Sequence, residues 1–152
     1  MKRLVGIAAA SFFVIQIVGA QEGRDNIAAR VSVLVEAALV KDKETQAFAE
    51  LETMGIEATP YLVGHLDDMR PLPVQQISLV NNSPKAFEEL RHYGPKVVHD
   101  ALAAILNQVT GQHFVFVYNG ASEADRRENI QAWRSWCRST FPNKTRTCDG
   151  GN

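Results

Sequence analysis

Residues 95–110 read PKVVHDALAAILNQVT and carry the strongest helical pattern in the chain. The apolar side chains recur at spacings of three and four, which is the period of one face of an α-helix. This wide face is made of Val97, Val98, Ala101, Leu102, Ile105, Leu106 and Val109. Gly94-Pro95 is typical of a helix start and Gly111 of a helix stop, while Ala103 and Ala104 allow close helix packing. The pattern predicts a helix over 95–110.

Similar patterns predict helices on both sides of this stretch. Two of them cover residues 25–40 and 43–54, and a third begins at Thr59-Pro60, with Thr59 as the N-cap. Ser83-Pro84 is the predicted start of another helix, which carries Ala86, Phe87 and Leu90. Ser122 and Asp125 have the spacing of a capping box that opens a last helix, ending near Arg138.

Two segments depart from the helical pattern. Pro71 and Pro73 prevent regular helix at the start of residues 69–83, and the apolar residues 77–80 fit either a short helix or an extended segment. Residues 113–118, HFVFVY, are rich in strand formers, but a lone strand would have no partner. We therefore expect an extended, mostly buried connector there. The fold class that follows is all-α, with antiparallel helices stacked on each other.

The first twenty residues, MKRLVGIAAASFFVIQIVGA, have the order of a secretory signal peptide. Lys2 and Arg3 precede an apolar run, and Val18-Gly19-Ala20 forms a small-residue cleavage site. The run is short for a membrane span. Residue 21, directly after the cleavage site, is Gln and not a cysteine that could carry a lipid. We expect export to the periplasm after cleavage behind Ala20, with one domain over residues 21–152. A cytosolic protein with an apolar N-terminal helix is the alternative.

Charge and cysteine content narrow the function classes. Residues 21–90 carry six Lys and Arg against twelve Asp and Glu, and residues 121–152 carry six against four. Neither part has the dense basic stripe of a nucleic-acid binder. An even number of cysteines in an exported chain indicates a disulfide, here between Cys137 and Cys148. Metal-binding thiols are the alternative, but no nearby histidine completes a zinc site.

Residues 54–68 carry a resemblance to a known family. The run Met54-Gly-Ile-Glu-Ala-Thr-Pro-Tyr-Leu-Val63, followed by Leu66-Asp67-Asp68, resembles the second half of a HEAT-like repeat. Residues 85–111 are similar but depart at several positions. Residues 100–137 resemble a C-terminal pattern of exported bacterial HEAT-like proteins, through Thr110-Gly111-Gln112 and Trp133-Arg-Ser-Trp136. The resemblance implies a stacked helical-repeat scaffold, and such scaffolds usually bind other proteins.

The chain contains none of the common catalytic motifs. It has no G-x-S-x-G, H-E-x-x-H, P-loop or Gly-rich dinucleotide sequence, and we expect no cofactor and no metal. A site built from His92, Tyr93 and His99 is the enzymatic alternative, although Gly94-Pro95 prevents one continuous helix from presenting both histidines. Asp67-Asp68 lacks the ligand count of a calcium loop and fits a solvated helix end.

These features favour a non-enzymatic protein-binding module of the periplasm. Its plan is similar to that of immunity proteins against the peptidoglycan amidases of type VI secretion, which are small, exported and largely helical. Such a protein would occlude the active-site cleft of a secreted hydrolase with a protruding loop. We expect that loop to be residues 68–82, because it is long and its prolines reduce the entropy lost on docking. The predicted polar contacts are Asp67, Asp68, Arg70, Gln75, Gln76, Asn81 and Asn82.

Two further surfaces remain candidates. The connector over residues 112–121, with Tyr118 and Asn119, is the second predicted contact. The last helix presents a basic face, which is either solvated or paired with the acidic half of a second copy in a homo-oligomer. Its members are Arg126, Arg127, Arg134 and Arg138. Trp133 and Trp136 fit core packing, with an exposed anchor for a partner as the alternative. A general envelope adaptor is the alternative function.

Overall fold

The structure is a computed structural model that describes residues 26–151. The predicted signal peptide, residues 1–20, lies outside the described residues. Among the helices of residues 26–151, none combines the length and the apolar character needed to cross a membrane.

The described chain is mostly helical, as predicted, and adds one small antiparallel sheet. Two 3-10 turns, Gly55–Ala58 and Pro142–Lys144, precede α3 and α6. The elements in chain order are α1 (26–37), α2 (Glu44–Thr53), α3 (Thr59–Gly64), β1 (Ile77–Val80), β2 (Leu90–Tyr93), α4 (Val98–Thr110), α5 (Glu123–Thr140) and α6 (Thr145–Cys148).

The centre of the fold is α4. Every residue from 98 to 108 is buried, and α4 packs against α2, α3 and β1. A helix that is enclosed on all sides belongs to the interior of a domain. The sequence pattern predicted its apolar face but not the burial of the four polar residues on the rest of its surface. These are His99, Asp100, Asn107 and Gln108.

The buried carboxylate of Asp100 receives its counter-charge from α5. Arg126 donates from Nε to Oδ1 at 2.7 Å and from Nη2 to Oδ2 at 2.9 Å, and the Lys96 amide donates to Oδ2 at 2.9 Å. The hydrogen bond to Asp100 raises the pKa of Arg126. Because two parallel bonds also fix orientation, the pair holds the start of α5 against the start of α4.

Two helix starts differ from their predicted positions. α4 begins at Val98 and not at Pro95, because Val97 is extended and forms a bridge with Pro71. Thr59 is the first residue of α3 and not its N-cap, because the preceding 3-10 turn leads into α3 through Ala58. In both cases the residue directly before the helix belongs to another backbone structure: Val97 forms a bridge and Ala58 ends a 3-10 turn.

The helix predicted after Ser83-Pro84 is wrong. Residues 84–89 are turns and bends, and Leu90–Tyr93 is a strand that pairs with Ile77–Val80. Every residue from 82 to 92 is exposed, so a helix here would have no buried face to stabilise it. The choice left open for residues 77–80 is therefore settled in favour of a strand.

The C-terminal end of the chain follows the sequence prediction closely. Ser122 Oγ accepts from the Asp125 amide at 3.1 Å and Asp125 Oδ2 accepts from the Ser122 amide at 3.2 Å, which completes the capping box of α5. Cys137 and Cys148 form a disulfide. Closing a loop of this size stabilises the fold by about 3 kcal/mol in the chain-entropy model. α6 is thereby held against α5 and packs on α3.

The buried ion pair is tested by a matched pair of substitutions on α5. Arg126→Met leaves Asp100 buried without its counter-charge, and we expect a loss of about 3–5 kcal/mol in the free energy of unfolding. Arg127→Met removes only an exposed contact to Glu123 at 3.6 Å, so its loss should stay within about 0.5 kcal/mol. Urea denaturation measures both values, and equal losses would contradict the assignment.

Candidate functional site

The candidate contact surface is the hairpin formed by β1 and β2. Its register pairs Ile77 with Tyr93 and Val80 with Leu90, and residues 81–89 connect the strands. Ile77, Leu79 and Tyr93 are buried beneath it. Burial alternates along β1, and the register places Leu90 and His92 of β2 on the same outer face as Ser78 and Val80. All four of these residues are exposed.

Apolar side chains cluster on this exposed hairpin. Phe87 lies in the connecting loop with an exposed fraction of 101%, and Val80 and Leu90 are 50% and 45% exposed. Together with Asn81, Ala86 and two glutamates they line an open cleft of about 490 Å³. Single exposed apolar residues are ordinary, but several on one projecting element mark a contact surface.

Gln108, near the end of α4, anchors the hairpin to the core. Its Oε1 accepts from the Asn82 amide at 3.1 Å, and its Nε2 donates to Tyr93 Oη at 2.6 Å and to Asn107 Oδ1 at 3.2 Å. Asn82 Nδ2 in turn donates to the Gln108 carbonyl at 3.3 Å. Asn82 closely follows β1 and Tyr93 ends β2, so one buried side chain holds both strands.

Two further contacts secure the strands. The Val80 amide donates to Glu52 Oε1 of α2 at 2.9 Å. Burial raises the pKa of Glu52, although the hydrogen bond from Val80 opposes this rise. At the other end the Gly94 amide donates to Asn119 Oδ1 at 2.7 Å. The hairpin is thus held at both ends, while its loop projects from the domain.

The connector over 112–121 packs against the buried side of the hairpin through Tyr118. It contains no strand, as predicted, but its burial is uneven. Tyr118 is 4% exposed and its ring contacts Tyr93 edge-on at 5.6 Å. Burial raises the pKa of Tyr118 to about 12. Phe116 is 63% exposed, so Phe116, and not the predicted Tyr118, presents an aromatic ring to solvent from this segment.

The predicted loop 68–82 does not form one continuous projection. Its first part is tied down, because Arg70 donates to Asp68 Oδ1 at 2.9 Å and to Glu36 Oε1 at 2.7 Å. Burial acts to raise the pKa of Asp68, but the hydrogen bonds from Arg70 outweigh it and lower the pKa. Gln75 and Gln76 are exposed just before β1, and the last part of the predicted loop is β1 itself.

The arginines predicted to form a basic face of α5 have partners inside the described chain. Arg126 binds Asp100, Arg127 contacts Glu123, and Arg134 pairs with Asp67. Arg138 pairs with Asp149 at 2.6 Å. Asp67 is therefore engaged with α5. Trp133 is fully buried, and its ring makes an edge-to-face contact with the partly buried Trp136. Core packing therefore accounts for both residues.

The two histidines of the enzymatic alternative occupy different environments. His92 is exposed on β2, where its Nδ1 lies 2.8 Å from Ser78 Oγ. His99 is fully buried in α4 and donates from Nδ1 to the Leu66 carbonyl at 2.8 Å. Burial lowers the pKa of His99. Among residues 26–151, no group of three His, Cys, Asp or Glu side chains is arranged to hold a metal ion.

Sequence reasoning missed a serine–histidine contact between α1 and the end of α3. Ser32 Oγ lies 3.2 Å from His65 Nε2 in a cleft of about 160 Å³ that Gly150 and Gly151 help to line. Burial lowers the pKa of His65, which favours the neutral imidazole that a general base needs. The two glycine amides, however, donate to carbonyls of their own segment, so they do not stabilise an oxyanion.

His99 should make the stability of the fold depend on pH. His99→Asn keeps a donor for the Leu66 carbonyl but removes the titrating group. Because burial lowers the pKa of His99 from 6.5, its contribution is fully present above that pH and is lost as the pH falls toward the folded-state pKa. From about pH 7.5 to 5, we expect the wild type to lose more unfolding free energy than the variant, by up to about 1.4 kcal/mol per pH unit. Parallel pH profiles would contradict this.

Gln108 should control the rigidity of the hairpin. Gln108→Leu leaves the Asn82 amide and Tyr93 hydroxyl without their partner, and we expect hairpin amides to exchange roughly tenfold faster or more. Gln112→Leu is the control, because the hydrogen bonds of Gln112 in the described chain use its backbone atoms. Hydrogen exchange followed by NMR measures both, and equal protection in the two variants would refute the role of Gln108.

Comparison of the chain with protein-family models, curated proteins and solved structures finds no match in any of the three.

Proposed function

We propose that this protein is a non-enzymatic binding module of the periplasm that inhibits a secreted cell-wall hydrolase, in the manner of an immunity protein against a peptidoglycan amidase. The observation that carries the proposal is the fully exposed ring of Phe87 on a hairpin loop that projects from the domain. A projecting aromatic side chain can fill the cleft of an enzyme, and such anchors often dominate the binding energy.

The anchoring of the hairpin supports this role. Gln108 holds the loop and β2, Glu52 holds β1, and Asn119 holds the end of β2. A loop that is ordered before binding loses less conformational entropy when it docks. The hairpin therefore replaces the 68–82 loop as the proposed inhibitory element, while Asn81 and Asn82 belong to both segments.

The proposed scaffold is a HEAT-like pair of helices. α2 and α3 follow each other closely in the chain, and Gly55 between them has a φ of +64°, which suits the turn glycine of that repeat. The alternative function, a general envelope adaptor, would use the same hairpin but would have no hydrolase partner. The identity of the bound protein distinguishes the two functions.

The role of Phe87 in binding is tested by replacing it with alanine, and the same substitution at Phe116 of the connector is the control. The proposed immunity role predicts that a cell-wall hydrolase is encoded beside the gene of this protein. That hydrolase is the probe, and calorimetry measures its affinity for the full mature chain. We expect Phe87→Ala to weaken binding by roughly thirtyfold, which corresponds to about 2 kcal/mol. Phe116→Ala removes an exposed ring of the same type from the second candidate surface and should leave the affinity unchanged.

Peptidoglycan release by the hydrolase provides the functional readout. The wild type and Phe116→Ala should inhibit it equally, whereas Phe87→Ala should need a correspondingly higher concentration. If Phe116→Ala weakens binding and Phe87→Ala does not, the connector is the contact surface and the hairpin assignment is wrong. If the hydrolase does not bind at all, the inhibitor function is wrong.

A further inference from the structure

The outer edge of β2 has no strand beside it in the described part of the chain. The sheet contains β1 and β2 alone, and the Asn81 amide donates to the Glu89 carbonyl at 2.8 Å. Hydrogen-bonded and non-hydrogen-bonded pairs alternate along an antiparallel sheet. Because Asn81 and Glu89 form a hydrogen-bonded pair, the next pair, Val80 and Leu90, is a non-hydrogen-bonded one. The amide and carbonyl groups of Leu90 and His92 therefore point away from β1, toward the outer edge.

An exposed strand edge of this kind is a template for another strand. The residues along it are Glu88-Glu89-Leu90-Arg91-His92, all of which are exposed. Suppose that two copies of this run pair in the antiparallel direction with Leu90 opposite Leu90. Glu89 of one copy then lies opposite Arg91 of the other, and Glu88 lies opposite His92. Each acidic residue thus meets a basic partner, and Leu90 meets Leu90.

We propose that a second copy of this chain pairs with the protein along the β2 edge, centred on Leu90, and extends the hairpin into a four-stranded antiparallel sheet. This register allows backbone hydrogen bonds between the copies, because the outward-pointing amide and carbonyl of Leu90 face the carbonyl and amide of Leu90 in the other copy. A register centred on Arg91 would also allow backbone hydrogen bonds between the copies. It would place two arginines opposite each other, however, which is unfavourable.

The apolar surface of the hairpin supports the same arrangement. Val80 and Leu90 form a cross-strand pair on the outer face and are each about half exposed. In the four-stranded sheet, the Val80 and Leu90 pairs of both copies become neighbours across the new seam. The outer face of the sheet then carries one continuous apolar stripe, with a Glu88–His92 pair on each side of it at the seam.

The size of the contact sets its strength. A five-residue edge with one apolar stripe buries less area than the roughly 1,200–2,000 Å² of stable complexes. The dimer is therefore a weak one that forms at high concentration and dissociates as salt screens its charge pairs. It does not depend on the proposed inhibitor function, because the purified protein alone tests it.

Charge reversal provides a sharp test by sedimentation velocity, over protein concentrations from about 10 μM to about 1 mM. The wild type should show reversible dimerisation. Arg91→Glu and Glu89→Arg should each remain monomeric, because each puts like charges opposite one another. The two variants mixed in equal amounts should form a heterodimer, since each charge then meets its opposite. The double variant E89R/R91E should dimerise like the wild type.

Lys85→Glu is the matched control, because it reverses a charge in the same loop outside the paired run, and it should dimerise normally. Circular dichroism confirms that every variant is folded. A wild type that stays monomeric up to about 1 mM would overturn the proposal. So would single variants that dimerise like the wild type, or a mixture of the two that stays monomeric.

Discussion

The burial of residues 98–108 of α4 requires specific partners from the elements around this helix. A helix interior to a domain needs partners for its buried charges and amides, because leaving either unpaired is costly. Asp100 near one end of α4 recruits Arg126 from α5, and Gln108 near the other end recruits Asn82 and Tyr93 from the hairpin. The two ends of one helix thus position the two elements that flank it.

These contacts fix which face of the hairpin is buried and which face is exposed. Its inner face is part of the core through Ile77, Leu79 and Tyr93, and its outer face and loop are open to solvent. A surface held in one place, with exposed apolar side chains and an unpaired strand edge, has the properties of a contact element. Phe87 at the loop and the charged run before and within β2 offer two different contacts, one for a cleft and one for a strand.

Much of the helical content could be predicted because it depends on local spacing. The apolar period of residues 98–110, the capping box of Ser122 and Asp125, and the disulfide between Cys137 and Cys148 all follow from residues close together in the chain. The helix predicted after Ser83 failed because Ala86, Phe87 and Leu90 have helical spacing but no surface to pack on. Contrary to expectation, the 68–82 segment is not one continuous loop, because Ile77–Val80 pairs with Leu90–Tyr93 beyond the connecting loop.

The sequence alone predicts that the chain is mainly helical, that a helix follows Pro95, and that a disulfide ties down the C-terminal segment. Which polar residues are available for contact with another protein depends on how the helices and the hairpin pack. Asp100 and Gln108 of α4 look like solvated residues until their partners on α5 and the hairpin are known. Likewise, Asp67 and Arg70 look like free contacts until Arg134 and Glu36 engage them. Pairings between residues distant in sequence depend on the packing of the whole domain, and no local pattern carries that information.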